Sequence, residues 1–265
     1  MIGSHFVSKD LSFSLIIPAF NEVKVIAATI DEASVYLESK GWNYEIIVVA
    51  DGNDGTRELC HRLAESNARL RVLGSSQRRG KGCGVREAMA VSSGDIVGFT
   101  DADNKTPISE LEKVLEGFNS GADIVIGSRG MGTSVIERKQ PFYRRIGSRI
   151  FRWGLYVVVG LTDIPDTQCG FKYFTRDVGK TLFAKQVIDG YMFDVEILHL
   201  ARRARYKVVQ IPVRWRDDGD SRLELFSGNI RNLIDILKIR FNIRAIGNHW
   251  LRWHWREEGS SARLR

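Results

Sequence analysis

The first half of the chain alternates short apolar runs with segments in which apolar residues recur every three or four positions. The apolar runs predict buried strands, and the segments with helical spacing predict helices between them. Strands that alternate with helices form a mostly parallel sheet covered on both faces, so the sequence predicts an α/β fold. The predicted strands are residues 13–18, 44–50, 70–73, 95–100 and 122–126, and the predicted helices are residues 22–37, 55–64, 81–91 and 109–118.

The second half of the chain has a different pattern, with longer helices and fewer strands. The predicted helices are residues 140–160, 192–203 and 227–246, and the predicted strands are residues 171–174 and 207–215. The last helix has a wide apolar face beside arginines and is followed by three tryptophans. This pattern suits a helix in a lipid interface, and it equally suits a helix packed on the protein core.

Polar residues follow the strands of the first half at the point where each strand ends. Glu22 follows the first strand and Asp51 follows the second. Asp101 and Asp103 follow the fourth strand, and Arg129 follows the fifth. Because ligands of parallel sheets bind at the carboxyl ends of the strands, we expect these side chains to share one site.

The Asp101-Ala102-Asp103 segment is a candidate metal site. Side chains two residues apart on an extended backbone point the same way, so the two carboxylates can share one cation. Mg²⁺ and Mn²⁺ prefer oxygen ligands and often bridge carboxylates to a substrate diphosphate. The tripeptide by itself suits a solvated turn, but its place after a buried strand favours the metal site.

Two more segments suit parts of a nucleotide. Asp51 can accept hydrogen bonds from a ribose or a base, although residues 51–55 equally suit a turn with a helix cap. Residues 78–82 form a basic, glycine-containing loop before a predicted helix, which suits a phosphate and also suits a solvated turn.

The charge and the cysteines narrow the class of protein. A formal net charge of +7 favours an anionic partner, such as a phosphorylated substrate or an anionic membrane. We expect no nucleic acid, because no recognised binding motif accompanies the charge. The three cysteines are far apart in sequence, which argues against a disulfide framework or a zinc site. We therefore expect the protein in the cytoplasm or on the cytoplasmic face of a membrane.

Four segments together resemble a known family. In their order and spacing, residues 18–22, 51–52, 79–82 and 101–103 are similar to family 2 glycosyltransferases with the GT-A fold. The resemblance implies an inverting, metal-dependent transferase that takes a hexose from a nucleotide sugar and uses Mg²⁺ or Mn²⁺.

Three segments of the second half point to branches of that family. Residues 166–172 and 193–196 resemble the dolichyl-phosphate β-glucosyltransferases, and residues 216–222 resemble an element shared with dolichyl-phosphate mannose synthases. The favoured reaction is transfer of glucose from UDP-glucose to dolichyl or another polyprenyl phosphate. The alternatives are transfer from GDP-mannose, a soluble transferase with a hydroxyl acceptor, and a basic peripheral-membrane protein without activity.

The resemblance implies roles for individual residues. The donor-binding residues would be Pro18, Phe20, Glu22, Asp51, Lys81, Asp101, Asp103, Arg216 and Arg222, with Asp101 and Asp103 as the metal ligands. The arginines proposed for the acceptor phosphate are Arg129, Arg145 and Arg149. The catalytic set would be Asp103, Asp194, Arg129 and Arg216.

The acceptor decides whether a general base is needed. A phosphate monoester is anionic near neutral pH, with a second pKa of about 6, so it can attack without one. A hydroxyl acceptor would need a base, for which Asp166, Asp194 and Glu196 are candidates. We hypothesise that Asp194 approaches the acceptor, while Glu196 suits a helix start at least as well.

The segments define three regions. We expect residues 1–11 to be disordered or tag-derived, and residues 12–222 to form the GT-A catalytic domain. Residues 223–265 are predicted to form amphipathic helices, at a membrane interface or on the core. No apolar stretch reaches the roughly 20 residues that cross a bilayer, so we expect peripheral contact with a membrane.

Overall fold

The computed structural model describes residues 11–131, 135–136, 159–216 and 229–241. The strands are β1 (Ser12–Phe20), β2 (Asn43–Asp51), β3 (Leu70–Leu73), β4 (Ile96–Thr100), β5 (Ile124–Ser128), β6 (Val135–Ile136), β7 (Phe171–Thr175), β8 (Val208–Pro212) and β9 (Arg214–Trp215). The α-helices are α1 (Ile26–Ser39), α2 (Thr56–Ser66), α3 (Lys81–Val91), α4 (Leu111–Asn119), α5 (Arg176–Phe183), α6 (Phe193–Arg203) and α7 (Asn229–Phe241), and a 3₁₀ turn, Ile108–Glu110, precedes α4.

Seven strands form one sheet in the order β3-β2-β1-β4-β7-β5-β8. All neighbouring pairs are parallel except those of β7, which runs antiparallel to both β4 and β5. The mostly parallel α/β sheet predicted from the alternating pattern is therefore confirmed. The reversed central strand was not predicted, because a single apolar run does not indicate the direction of its strand.

Apolar residues on the two faces of the sheet form two hydrophobic cores. One core packs β1 and β2 against α1, α2 and α4. The other packs the opposite face against α3, α5, α6 and α7. Consecutive residues of β1, such as Ile16 and Ile17, point to opposite faces and belong to different cores, which explains why the parallel strands are largely apolar.

The second half of the chain differs from the sequence prediction in two places. The strand predicted over residues 207–215 is two strands, because β5 ends at Ser128 opposite Pro212 and the chain then pairs with β6 in a separate ribbon. Helix α5 was not predicted, although Val178, Leu182 and Phe183 are buried at helical spacing. The predicted helix over residues 140–160 lies almost entirely outside the described residues.

Helix α7 falls within the predicted helix over residues 227–246. Ile236 and Ile239 are buried in the second core, whereas Ile234, Leu237 and Phe241 are exposed. The helix thus packs on the core and also presents apolar side chains to the solvent. Within the described ranges, no helix has the length and apolar character needed to cross a bilayer.

Candidate active site

The carboxyl ends of β1, β2 and β4 bring the predicted donor residues to one edge of the sheet. Phe20 pairs with Asp51 across β1 and β2. Ile16 of β1 pairs with Phe99 of β4, and two residues further along these parallel strands lie Pro18 and Asp101. The parallel register, which sequence spacing alone does not give, therefore brings the ends of β1, β2 and β4 together at one edge.

The turn that carries the two aspartates is fixed to α1. The Thr29 hydroxyl donates a hydrogen bond to the Ala102 carbonyl at 2.7 Å. The Asn104 side chain donates to Glu32 at 2.6 Å, and Asn104 itself has a φ of 50°. These contacts hold the Asp101 and Asp103 side chains near the surface, with exposed fractions of 45% and 35%.

The loop before β7 lies directly against Asp101. A Cβ atom on Gly170 would sit only 2.0 Å from an Asp101 carboxylate oxygen, closer than any side chain can approach. Only glycine therefore allows the carboxylate its observed place. The sequence interpretation included residue 170 in a family motif but did not find this contact.

An ammonium group meets each of the two aspartates. Lys81 Nζ lies 2.5 Å from Asp101 Oδ1, and Lys105 Nζ lies 3.2 Å from Asp103 Oδ2. Burial would lower the pKa of Lys81, but the carboxylates of Asp101 and Asp194 outweigh it and raise this pKa above its ordinary value. Lys81 is thus held as a cation at the turn that carries Asp101 and Asp103, the candidate metal site, which we call the metal turn. Lys105 was not singled out from sequence, although it stands two residues after Asp103.

The aspartate pair fits a hard divalent cation. Desolvation and the nearby negative charge of Asp101 raise the pKa of Asp103, as expected of two carboxylates that share a site. Among the described residues, no three His, Cys, Asp or Glu side chains gather as a metal site. Two protein oxygens would leave coordination positions for water and diphosphate, the arrangement that Mg²⁺ and Mn²⁺ commonly adopt.

Asp51 orders the basic loop between β3 and α3. Its carboxylate accepts hydrogen bonds from the Ser75 backbone at 3.0 Å and from the Arg79 backbone at 3.1 Å. The Arg79 guanidinium adds bonds of 2.9 and 3.2 Å to the same carboxylate. Asp51 is buried and engaged by this loop, so its predicted contact with a base or ribose stays a prediction.

Phe20 and Arg78 form the outer part of this edge. The Arg78 guanidinium lies 4.6 Å from the centre of the Phe20 ring, and the ring is partly exposed. Glu22 lies just beyond, and its backbone N–H donates to the Thr56 hydroxyl at 2.9 Å. An aromatic ring with a guanidinium over its face forms a flat surface against which a base can stack.

Arg129 and Asp166 form a bidentate ion pair at the end of β5. Arg129 donates to Asp166 from Nε at 2.7 Å, from Nη2 at 2.8 Å and from its backbone N–H at 2.9 Å. Burial alone would raise the pKa of Asp166, but Arg129 outweighs it and lowers that pKa to about 2. The guanidinium also lies 5.4 Å from the Trp215 ring centre. The predicted acceptor arginine is therefore held rigidly by a carboxylate.

Asp194 lies beneath the surface of the site. Its carboxylate is 2.7 Å from Lys172 Nζ, and the two side chains are 5% and 0% exposed. Burial raises the pKa of Asp194 despite this lysine. Glu196 accepts backbone hydrogen bonds from Val187 and Ile188, both at 2.9 Å, and so fastens the preceding loop to α6. The predicted contact of Asp194 with an acceptor remains a hypothesis.

Arg216 is the first residue of the 216–222 segment and lies beside the turn that carries Asp101 and Asp103. Its backbone N–H donates to the Lys105 carbonyl at 2.9 Å. This contact joins the end of β9 to the turn that carries Asp101 and Asp103. The other predicted arginines, Arg145, Arg149 and Arg222, lie outside the described residues.

Comparison with known proteins identifies the family. Residues 14–183 match Glycosyl transferase family 2. The chain belongs to this family. It is 34% identical over 252 residues to the dolichyl-phosphate beta-glucosyltransferase ALG5C of Trichomonas vaginalis, a match that covers 91% of this chain and 74% of the relative. The Homo sapiens dolichyl-phosphate beta-glucosyltransferase is 30% identical over 260 residues, covering 92% of this chain and 78% of that relative.

A solved structure has the same fold as this chain. Glucosyl-3-phosphoglycerate synthase from Mycobacterium tuberculosis, crystallised with Mn²⁺, uridine diphosphate and glucosyl-3-phosphoglycerate, superimposes with a TM-score of 0.65 at 22% identity. The match covers 89% of this chain and 82% of the synthase. This likeness confirms the GT-A fold that the sequence motifs implied.

Proposed function

We propose that this protein is a metal-dependent, inverting glucosyltransferase that moves glucose from UDP-glucose to dolichyl or another polyprenyl phosphate. The observation that carries the proposal is the pair of partly exposed carboxylates, Asp101 and Asp103, fixed beside Lys81 at the carboxyl edge of the sheet. The curated relatives named dolichyl-phosphate beta-glucosyltransferases support the choice of sugar and acceptor. The synthase of the same fold, crystallised with Mn²⁺ and uridine diphosphate, supports the choice of donor and metal.

The donor would lie along the edge from Phe20 to Asp103. The base would stack near Phe20 and Arg78, and the diphosphate would reach Lys81 and the aspartate pair. A bound Mg²⁺ or Mn²⁺ would act as a Lewis acid that stabilises the negative charge of the departing nucleoside diphosphate. Asp51 would contribute by holding Arg79 and the basic loop in place beneath the nucleotide.

The acceptor phosphate would attack the anomeric carbon from the side opposite the diphosphate. A bond forms between an acceptor oxygen and the anomeric carbon while the carbon–oxygen bond to the diphosphate breaks, and its electron pair leaves with the diphosphate. Because the acceptor is already anionic near neutral pH, no protein base is required. Arg129 and Arg216 would orient this anion, and the Asp166 contacts limit the movement of Arg129.

Peripheral membrane contact is part of the proposal, because the acceptor is a lipid. Helix α7 presents Ile234, Leu237 and Phe241 to the solvent, with Lys238 and Arg240 in its last turn. Apolar side chains beside cations suit the interface of an anionic membrane. In a vesicle flotation assay, Phe241→Ser should reduce binding to anionic vesicles. Val35→Ser removes an exposed apolar side chain from α1 and should not reduce it.

A transfer assay tests the reaction. The purified protein is incubated with UDP-glucose, UDP-galactose or GDP-mannose, with Mn²⁺ or Mg²⁺, in the presence and absence of a short polyprenyl phosphate. We expect polyprenyl-phosphate glucose from UDP-glucose, with loss of product in Asp103→Asn and normal product in the exposed control Asp31→Asn. If product formed only from GDP-mannose, the donor would be GDP-mannose instead of UDP-glucose. Hydrolysis or transfer to hydroxyls, with none to polyprenyl phosphate, would contradict the proposal.

A further inference from the structure

Both carboxylates of the metal turn already have a cationic partner in the protein. Lys81 pairs with Asp101 and Lys105 pairs with Asp103, so two negative charges face two positive ones. The lysine side chains are only 17% and 11% exposed, much less than the carboxylates they meet. The ammonium groups therefore approach from the protein side, and the carboxylates keep their open side toward the solvent.

The position of Lys81 allows its ammonium group to move while its backbone stays fixed. Lys81 is the first residue of α3, and the glycines on either side of it pack tightly: Cβ atoms on Gly80 and Gly82 would sit 2.2 and 2.5 Å from backbone oxygens of residues 188–189. The ammonium lies 5.7 Å from the Phe99 ring centre and 5.9 Å from that of Phe193. A change of rotamer can move this charge past the Phe99 and Phe193 rings without moving the helix.

We propose that Lys81 and Lys105 exchange partners when the donor binds: the two ammonium groups leave the aspartates for diphosphate oxygens as the divalent cation takes their place between the carboxylates. This inference rests on the donor site of the proposed function. The charges balance in both states, because a divalent cation and the diphosphate of a nucleotide sugar enter as a neutral pair. A cation by itself would meet carboxylates that are already neutralised, and a diphosphate by itself would have to take lysines from their aspartates.

The exchange makes the binding of metal and of nucleotide interdependent. The diphosphate removes the competing ammonium groups from the aspartates, so it should tighten the binding of the cation. By thermodynamic reciprocity, the cation tightens the binding of the diphosphate by the same factor, typically about 5- to 150-fold for coupled sites. A protein without Lys81 would lose part of this coupling and would bind the cation by itself more tightly than the wild type does.

The experiment measures the affinity for Mn²⁺ from the electron paramagnetic resonance signal of the free ion, with and without uridine diphosphate. Lys81→Met keeps the aliphatic bulk between Phe99 and Phe193 but removes the charge. We expect it to bind Mn²⁺ alone about tenfold more tightly than the wild type, with about tenfold less tightening by uridine diphosphate. Lys105→Met should also raise the affinity for Mn²⁺ alone and reduce the tightening by uridine diphosphate. Both changes should be smaller than in Lys81→Met, because the ion pair of Lys105 is longer.

The control is Lys40→Met, which removes an ion-paired lysine at the C-terminal end of α1. It lowers the net charge by the same amount as Lys81→Met does. It should leave the affinity for Mn²⁺ alone and the tightening by uridine diphosphate unchanged. The proposal is overturned if Lys81→Met binds Mn²⁺ alone no more tightly than the wild type, or if Lys40→Met shows the same gain. Circular dichroism confirms that each variant is folded.

The outcome separates this inference from the proposed function. Wild-type binding of Mn²⁺ with uridine diphosphate, without a gain in Lys81→Met, would overturn the exchange of partners and leave the donor site intact. Absence of Mn²⁺ binding to the wild type in the presence of uridine diphosphate would contradict the donor site and the exchange together. The identity of the acceptor affects neither measurement.

Discussion

Two lysine–aspartate pairs lie close together and differ in their access to water. Lys81 Nζ and Lys172 Nζ lie 5.7 and 5.6 Å from the centre of the same Phe99 ring. The partner of Lys81 is the partly exposed Asp101, whereas the partner of Lys172 is the buried Asp194. A pair at the surface can exchange its partners with a ligand at little cost. A buried pair cannot, because separating it leaves a charge without solvation.

The difference assigns the two pairs separate tasks. Lys81 and Asp101 face the space in which the donor would bind. There the Asp101 carboxylate can bind a cation and the Lys81 ammonium can bind the diphosphate. Lys172 also donates to the Cys169 carbonyl at 2.5 Å, which fixes the loop that contains Gly170 and lies against Asp101. The buried pair therefore supports the loop that lies against the carboxylate of Asp101, the partly exposed member of the other pair.

The largest effect should follow removal of the exposed carboxylates. Replacing Asp101 and Asp103 together by Asn removes the charges that would hold the cation, and we expect transfer to fall by about 10⁴-fold, roughly 5 kcal/mol. The free energy of unfolding in urea should change by less than about 1 kcal/mol, because surface substitutions cost little. A variant that kept more than a tenth of the activity would contradict the metal site.

Removal of the buried lysine should affect stability instead. Lys172→Met leaves Asp194 buried without a cation, and we expect the free energy of unfolding to fall by about 3–5 kcal/mol. Lys81→Met, whose partner Asp101 is partly exposed, should cost less than about 1 kcal/mol. Lys172→Met/Asp194→Leu removes both charges and should recover much of the loss. Equal costs for the two lysines would contradict the comparison.

The ion pair of Arg129 and Asp166 is intermediate in exposure between the other two pairs. The pKa of Asp166 is lowered from 3.8 to about 2 in the folded protein. Its ion pair therefore contributes fully above pH 4 and is lost as the pH falls from about 4 to about 2, a change of roughly 2 kcal/mol. Urea unfolding of the wild type and Asp166→Asn should show a stability difference that shrinks across this range. A difference independent of pH would contradict the assignment.

The smallest effect should come from a single methyl group at Gly170. Because a Cβ atom there would overlap the Asp101 carboxylate, Gly170→Ala must move that side chain away from its place. We expect about a tenfold loss of transfer, roughly 1.4 kcal/mol, with a matching loss of Mn²⁺ affinity. Gly190→Ala is the control, since its Cβ would meet only Asp235 at an ordinary 3.9 Å. Equal effects of both substitutions would contradict a specific role for Gly170.

The alternation of strands and helices in the first half could be predicted because each element shows its own period of apolar residues. The same reasoning placed Asp51, Asp101 and Asp103 at strand ends, and the structure brings these ends together. It missed α5, whose buried residues have helical spacing over a short segment. It also joined β8 and β9 into one strand, because continued alternation does not reveal where a partner strand ends.

The sequence by itself determined the fold class, the family and the residues that carry the candidate chemistry. These depend on local patterns of polarity and on short motifs, which can be read without knowing what lies nearby. The tertiary structure decided how those residues are paired: Asp51 with Arg79, Arg129 with Asp166, Asp194 with Lys172 and Asp101 with Lys81. Each pairing joins segments far apart in the chain, and its strength depends on burial. Distance in space and exclusion of water arise only when the sheet and its helices assemble.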